Sequence, residues 1–538
     1  MNLSRLVRTV RWLKPVQVYG RVWFRLSRPR PDMRPAPPRR RPGSWVAPIA
    51  KAPTLTGPDE ITLLARPGRI SDPASWNDPT QEKLWLYNLH YFDELSAPAD
   101  ETRQEWRRSL IARWIAANPA GAGNGWEPYP LSLRLVNWIK WALAGQPLDK
   151  AALDSLAVQA RWLTGRLERH LLGNHLFANA KALVFAGLFF EGQEADHWLK
   201  LGLALFSREL PEQILSDGGH FELSPMYHSI LFEDVLDLIN LATAAGMGDR
   251  PPFAGWRTVA ARMGHWLQAM SHPDGRIAFF NDATFGIAAE PAALHAYASR
   301  LGIPSAGPGR RPVNHLEASG YVRLENARAV ALLDVGRIGP DYLPGHAHAD
   351  TLSFELSVDA ARVIVNGGTS TYVGPVRARE RSTASHSTVQ VEGEDSAEVW
   401  SSFRVGRRPN VRAKVREDEG VARVDAEHDG YRWLSHAPVH KRGWRFDAQS
   451  MVIVDEVTGP ERVAVARFLL APGVDVRLAA DGLAATLTST AHRDIHMQCS
   501  SPLRVEPAYW GEGFNRVTPI ECLVAELRGG ALTTRLSW

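Results

Sequence analysis

The chain reads as a multidomain α and β protein, helices first and antiparallel sheets after, because its patterns change character once along 538 residues. Between about Pro79 and Leu301 apolar residues recur at helical spacing, with Pro or Gly at the breaks. After about Pro312 the texture turns to short alternating or β-branched runs. Helices followed by strands imply segregated domains, and the length exceeds what one ordinary core serves.

In the first half the spacing predicts helices over Glu105–Ala117, Leu131–Ala144, Ala151–His170, His175–Phe190, Asp196–Glu209, Met226–Ala245 and Trp256–Met270. Their lengths and short connections suit helical hairpins packed side by side, as in a toroid or a solenoid. In the second half, strands are expected at Tyr321–Leu324, Ala329–Val335, Leu352–Val358, Arg362–Val365, Ser387–Val391, Val411–Val415, Met451–Val457 and Val463–Leu470. Asp359 and Ala360 stand where a tight hairpin turn would be. Sheets of this kind pack as an antiparallel sandwich. The expected domains are therefore 1–53, 54–311 and 312–538.

With 45% hydrophobic and 22% charged residues the composition is that of a folded soluble protein. Charge is uneven: residues 1–44 hold twelve Lys or Arg against the single acid Asp32, so the remainder is mildly acidic. Leu3, Leu6, Val10 and Leu13 follow helical spacing beside Arg5, Arg8 and Arg11, with Trp12, Trp23 and Phe24 close by. Such an arm could lie on an anionic membrane surface as a peripheral contact, or dock on its own domain before a Pro/Arg linker from Ser27 to about Pro53. No apolar run has signal-peptide or membrane-spanning length, so a cytoplasmic or inner-membrane-peripheral location is expected, with the periplasm as the alternative. Cys499 and Cys522 give no disulfide framework; they pair or are simply buried.

Four stretches carry candidate chemistry. In Gly345-His346-Ala347-His348-Ala349-Asp350 two histidines two residues apart face one way if the backbone is extended. Gly173-Asn174-His175 opens an apolar run with Asn174 at the expected N-cap, where an amide and a helix amino end can hold a carboxylate. Ser224-Pro225 reads as N-cap and N1, which puts Tyr227 and His228 on the first helical turn. Arg377-Ala378-Arg379-Glu380-Arg381-Ser382-Thr383-Ala384-Ser385-His386-Ser387 sets several guanidiniums before a lone histidine at the start of a strand. Trp126 and Arg134 could stack on sugar faces and bind carboxylates, or belong to the core. No Gly-rich phosphate loop, nucleophile elbow or zinc-protease helix appears, and nucleic acid is not an expected partner.

These four motifs, in their order along the chain, resemble the heparinase II/III-like polysaccharide lyases and their alginate-lyase relatives, from about Trp76 to the low 500s. The resemblance implies an (α/α) toroid followed by an antiparallel β-sandwich, and β-elimination on an acidic, uronate-containing polysaccharide; together with the basic arm and no signal-peptide run, it suits exopolysaccharide biosynthesis or turnover. It implies Tyr227 as the catalytic tyrosine, Asn174 as neutraliser of the substrate carboxylate and His346 as helper base, with His228 a neighbour able to tune the phenol. His175, Trp126, Arg134, Glu222 and Arg381 complete the expected substrate-binding set. His348 and His386 match histidines that hold a divalent metal such as zinc in many members; the third ligand, an aspartate there, is matched by Asn366, which weakens the site. Two other readings stand beside the lyase. A glycoside hydrolase would need two carboxyls roughly 5–9 Å apart, drawn from Glu127, Glu222, Asp282 and Asp350. A non-catalytic polysaccharide-binding or assembly protein would keep the cleft without turnover.

Overall fold

The computed structural model describes residues 3–305 and 311–538. All seven expected helices form. The one expected to reach His170 ends at Gly165, and the chain then turns inward where the Glu168 N–H donates to Asn179 Oδ1 at 2.9 Å. Two further helices, Lys83–Tyr91 and Pro291–Arg300, escaped the spacing rule, the first because aromatic residues crowd it and the second because it is short. The helices form the toroid. Gly173–Phe189 and Pro225–Ala244 are buried on nearly every side, as all-round apolar helices must be. Gly173–Phe189 packs closely on Gln193–Gln213: a Cβ on Gly187 would meet the Leu199 nitrogen at 2.5 Å, and one on Gly202 the Val184 nitrogen at 2.8 Å.

One buried carboxylate joins four of these helices. Asp237 Oδ2 accepts from Lys140 Nζ at 2.9 Å and Lys181 Nζ at 2.8 Å, while Oδ1 accepts from the Tyr297 hydroxyl at 3.1 Å. Burial alone would raise this carboxyl, yet the two ammonium groups hold it below the usual range, at about 2.

Beyond the toroid the expected strands are present in two antiparallel sheets. One runs in the order 411–418, 421–428, 440–446, 450–457, 531–537, 492–499, 484–489, 475–478. The other runs 503–513, 516–526, 464–470, 361–365, 354–358, 329–334, 321–325, 313–316, with 389–391 beside 464–470. The turn between Phe354–Val358 and Ala361–Val365 has Asp359 at φ 51° and Ala360 at φ 69°, the left-handed pair that a two-residue hairpin requires. Arg442 pins the sheets together: it pairs with Asp455 at 2.7 Å and donates to the carbonyls of Leu352 and Ser387. Cys499 and Cys522 are buried and unpaired.

The segment after Ser27 is no loose linker. Arg40 N–H donates to Phe189 O, Gly43 N–H to Ala244 O, and Val46 exchanges two hydrogen bonds with the Asn240 amide. Proline has already removed many donors there, so a few fixed backbone bonds suffice to lay it along the toroid as a strap. Ahead of it, helices Leu3–Val10 and Pro15–Leu26 lie across the junction of the domains. Among the described residues no helix is long and apolar enough to cross a membrane.

Replacing Asp237 by alanine leaves two ammonium groups buried without their shared counter-ion, and is expected to cost about 3–5 kcal/mol in urea denaturation. Because the folded pKa is depressed, the carboxylate's contribution is fully present above the unfolded value of about 3.9. It is lost as pH falls through about 2.

Candidate active site

A cavity of about 1310 Å³ opens between toroid and sandwich. From the toroid it receives Asn174 and His175 at the amino end of one helix, Tyr227 from the first turn of another, and Glu222 from the loop before it. From the sandwich come His346 and Tyr372. The expected cap is present: Ser224 Oγ accepts the Tyr227 N–H at 3.2 Å and donates its own proton to the Asp282 carbonyl. Asn174 lies one position inside its helix, which begins at Gly173 with Leu172 as the cap. Leu172 and Leu223, which lead into the two helices, both have φ near +60° (63° and 59°), a costly backbone state that surrounding bonds must hold. Leu223 O is held by Asn281 Nδ2 at 3.0 Å and the Tyr321 hydroxyl at 2.6 Å.

Asp282, fully buried, is the hub. Its Oδ2 meets His346 Nδ1 at 2.8 Å and Arg377 Nη2 at 2.8 Å; its Oδ1 meets His348 Nε2 at 2.8 Å, Arg377 Nη1 and the Thr369 hydroxyl. Burial would raise the carboxyl, but Arg377 and the two histidines hold it well below the ordinary range, so it is an anion. An ionised carboxylate only accepts, so His346 donates from Nδ1, and its neutral form carries the lone pair on Nε2. That nitrogen is 3.6 Å from Glu222 Oε2. The histidine pair converges, as the spacing suggests, with one ring at the cavity and one in the interior.

Tyr227 lies beside His346, ring centroids 3.8 Å apart and 30° inclined, and its hydroxyl is 2.9 Å from that of Tyr372. Burial first, then Tyr372 and Asp282, push the Tyr227 phenol well above its ordinary value. It is therefore a neutral acid at rest. Burial likewise pushes the Glu222 carboxyl up; both of its oxygens are buried without a hydrogen-bond partner. His175 stacks on Tyr129 at 4.4 Å, and burial is outweighed by Glu168, 3.0 Å from its Nδ1, which raises it.

Four expected site residues are packed away from the cavity. His228 is fully buried, stacked on Trp266 at 4.3 Å with Nε2 on the Met263 carbonyl, and burial drops it to about 3, so it is a neutral core residue. Trp126 and Arg134 belong to the aromatic interior, the guanidinium 3.8 Å over Trp114 and the Trp126 indole bonded to Asn118 O. Arg381 spends its donors on the carbonyls of Ala347, Ser401 and Arg404. Asp282, Arg377 and Tyr372 build the site around Tyr227 and His346 instead; of the three, Asp282 enters the sequence reading only as a carboxyl for hydrolysis. Of the four carboxyls considered for hydrolysis, only Glu222 lines the cavity: Asp282 is ion-paired, Asp350 accepts from Asn281 N–H, and Glu127 from Tyr87 and Lys83.

His348 Nδ1 is 3.2 Å from His386 Nε2. Asn366 is buried beside them with Oδ1 accepting the Ser387 N–H at 3.1 Å, and its Nδ2, a donor, has no partner. Arg377 Nη1 lies 3.5 Å from His348 Nε2. Two imidazoles, a neutral amide with its oxygen engaged and a nearby guanidinium do not fit a resident divalent cation. Among the described residues no cluster of three His, Cys, Asp or Glu side chains could hold one. Chelation followed by zinc add-back is expected to leave the melting temperature unchanged. Asn366→Asp, which supplies the missing anion, is the variant expected to gain zinc-dependent stability on the same scan.

The family model "Heparinase II/III N-terminus" matches residues 146–298, and "Heparinase II/III-like, C-terminal" matches 308–538. A heparin-sulfate lyase of Bacteroides stercoris is 23% identical over 368 residues, 64% of this chain and 53% of that one. One of Pedobacter heparinus is 26% identical over 227 residues, 39% and 34%. The chain thus spans about half or less of the length of these curated relatives. Among solved structures, heparinase III superposes with a TM-score of 0.70 at 18% identity, covering 86% of this chain and 79% of that one. Chondroitin AC lyase of Streptomyces coelicolor gives 0.55 at 12%, covering 90% and 77%. Those likenesses carry the toroid-and-sandwich fold, and the two matched regions together settle the membership: the chain belongs to the heparinase II/III-like family.

Proposed function

We propose that the chain is a polysaccharide lyase that cleaves a uronate polymer, an acidic exopolysaccharide, by β-elimination. The observation that carries this reading is the Asp282–His346 pair, whose Nε2 lone pair lies beside a neutral Tyr227 phenol in one wall of the cavity. His346 removes the proton α to the uronate carboxylate, and Asp282 stabilises the imidazolium that results. Asn174 and the amino end of its helix face the carboxylate as charge spreads into it. Tyr227 gives its proton to the leaving glycosidic oxygen, and the neighbouring imidazolium offsets the phenolate charge. Return of the proton from imidazolium to phenolate restores the resting pair. Glu222, raised by burial, adds less negative charge beside an anionic substrate than a free carboxylate would.

Base and acid stand side by side rather than across the cavity, which suits removal of proton and leaving group from the same face of the ring. Glucuronate and mannuronate linkages present that arrangement; their epimers at the carboxylate-bearing carbon do not. The relatives named as heparin-sulfate and chondroitin lyases support a uronate polymer of this kind.

The test is the ultraviolet absorbance of an unsaturated uronate when the purified protein meets heparan sulfate, hyaluronan, glucuronan and alginate. Tyr227→Phe and His346→Ala are each expected to lower turnover by about 10²–10⁴-fold, with polymers rich in glucuronate or mannuronate preferred. New reducing ends without a double bond would point to hydrolysis instead, and tight binding without product would point to an assembly role.

A further inference from the structure

The N-terminal arm is inside out. In helix Leu3–Val10 the large apolar side chains exposed are Leu3, Val7 and Val10, the last also reaching the cavity, and in helix Pro15–Leu26 they are Val18, Tyr19, Val22, Trp23 and Leu26, each set at helical spacing. Trp23 is 70% exposed and Leu26 75%. The inner side makes the polar contacts: Arg5 and Arg8 on Glu398 at 3.0 and 2.8 Å, Thr9 on the Trp400 indole, and Gln17 Nε2 on the Tyr342 carbonyl. A helix docking only on its own domain turns its apolar stripe inward. Nine of the nineteen large apolar side chains exposed among the described residues lie between Leu3 and Met33, so the surface is concentrated rather than scattered.

Charge decides what covers it. Through residue 31 the arm holds eight Lys or Arg and no acid, and Arg11, Arg25, Arg28 and Arg30 are exposed beside the stripe. A crevice of about 480 Å³ beside the second helix is bordered by Tyr19, Trp23 and Arg169, with Arg208 and Lys14 there already paired with Glu209 and Glu212, so the free positive charge at this face comes from the arm itself and Arg169. Two copies of so basic an arm repel one another, whereas apolar and aromatic side chains rimmed by arginine suit the headgroup boundary of an anionic bilayer. We propose that the outer face of this arm binds an anionic lipid bilayer surface. Because Leu6, Thr9, Leu13 and Gln17 of the inner side line the catalytic cavity, binding would place the cavity close to the membrane. The inference stands whether or not the chain proves to be a lyase.

The experiment is co-sedimentation of the full chain with phosphatidylglycerol-containing vesicles and with phosphatidylcholine vesicles, alongside light scattering without lipid. Binding is expected only to the anionic vesicles, weakened by salt. The triple variant V22S/W23S/L26S should lower it by more than about tenfold, and Arg25→Gln and Arg28→Gln by roughly fivefold each. All three variants should keep the parent melting temperature, since these side chains project into solvent. A chain that stays in the supernatant with every vesicle, or triple-variant binding equal to the parent, overturns the proposal. A dimer without lipid that the triple variant disperses also overturns it, in favour of a second copy as the occupant.

Discussion

The ion pair between Asp282 and Arg377 is the constraint on which the rest of the site depends. A carboxylate in a dry interior is costly unless its charge is met and its lone pairs are filled. Asp282 meets that condition with a guanidinium, two imidazoles and a hydroxyl. Its main chain is engaged as well: the N–H donates to His346 O at 3.0 Å, and the carbonyl receives the Ser224 hydroxyl. One residue of an irregular loop thus fixes the cap of the Tyr227 helix, the tautomer of His346 and the position of Arg377 in the sandwich. The toroid and the sandwich are held in register at the point where their side chains have to cooperate.

The interior histidines follow from the same constraint. His348 donates from Nε2 to Asp282 and so accepts at Nδ1 from His386; burial lowers both, His348 to about 4. Hydrogen bonds link Asp282, His348 and His386, and the chain ends at His386 Nδ1, which is buried without a hydrogen-bond partner. Asn366 supports it by fixing the Ser387 N–H, next to the carbonyl that Arg442 holds. What lies behind the cavity is a hydrogen-bonded frame, and its stiffness sets how well His346 is aimed.

Much of this was legible in the chain because local rules decide it. Ser224-Pro225 is a cap by chemistry alone, and Asp359-Ala360 follows from turn geometry once two strands flank it. His346 and His348, two positions apart with only Ala347 between them, both reach Asp282. Asp282 was not legible as a hub, since nothing in Asn281-Asp282-Ala283 marks a carboxylate that three distant segments will surround. Trp126 and Arg134 look like a sugar platform by residue type, but the interior of a toroid consumes aromatic residues in the same pattern. Tyr372 sits in a loop with no periodicity, and only the fold brings its hydroxyl to Tyr227.

The arm and the strap differ in how they are attached, and the difference is physical. The strap is held by main-chain hydrogen bonds and by Asn240, which also donates to the Tyr297 hydroxyl of the Asp237 network. The arm is held mostly through side chains: Glu398 is raised by burial but drawn down to about 2 by Arg8, Arg5 and the Arg407 N–H, Lys14 pairs with Glu212, and Arg166 donates to the carbonyls of Phe24 and Ser27. The arginine partners are part-exposed, so salt screens them and their contribution is small. On the proposed membrane contact, an arm with large apolar side chains outward gains from a surface outside the protein as well as from the body it covers. Its hold on the cavity wall therefore depends on what lies beyond the protein as well as on the fold.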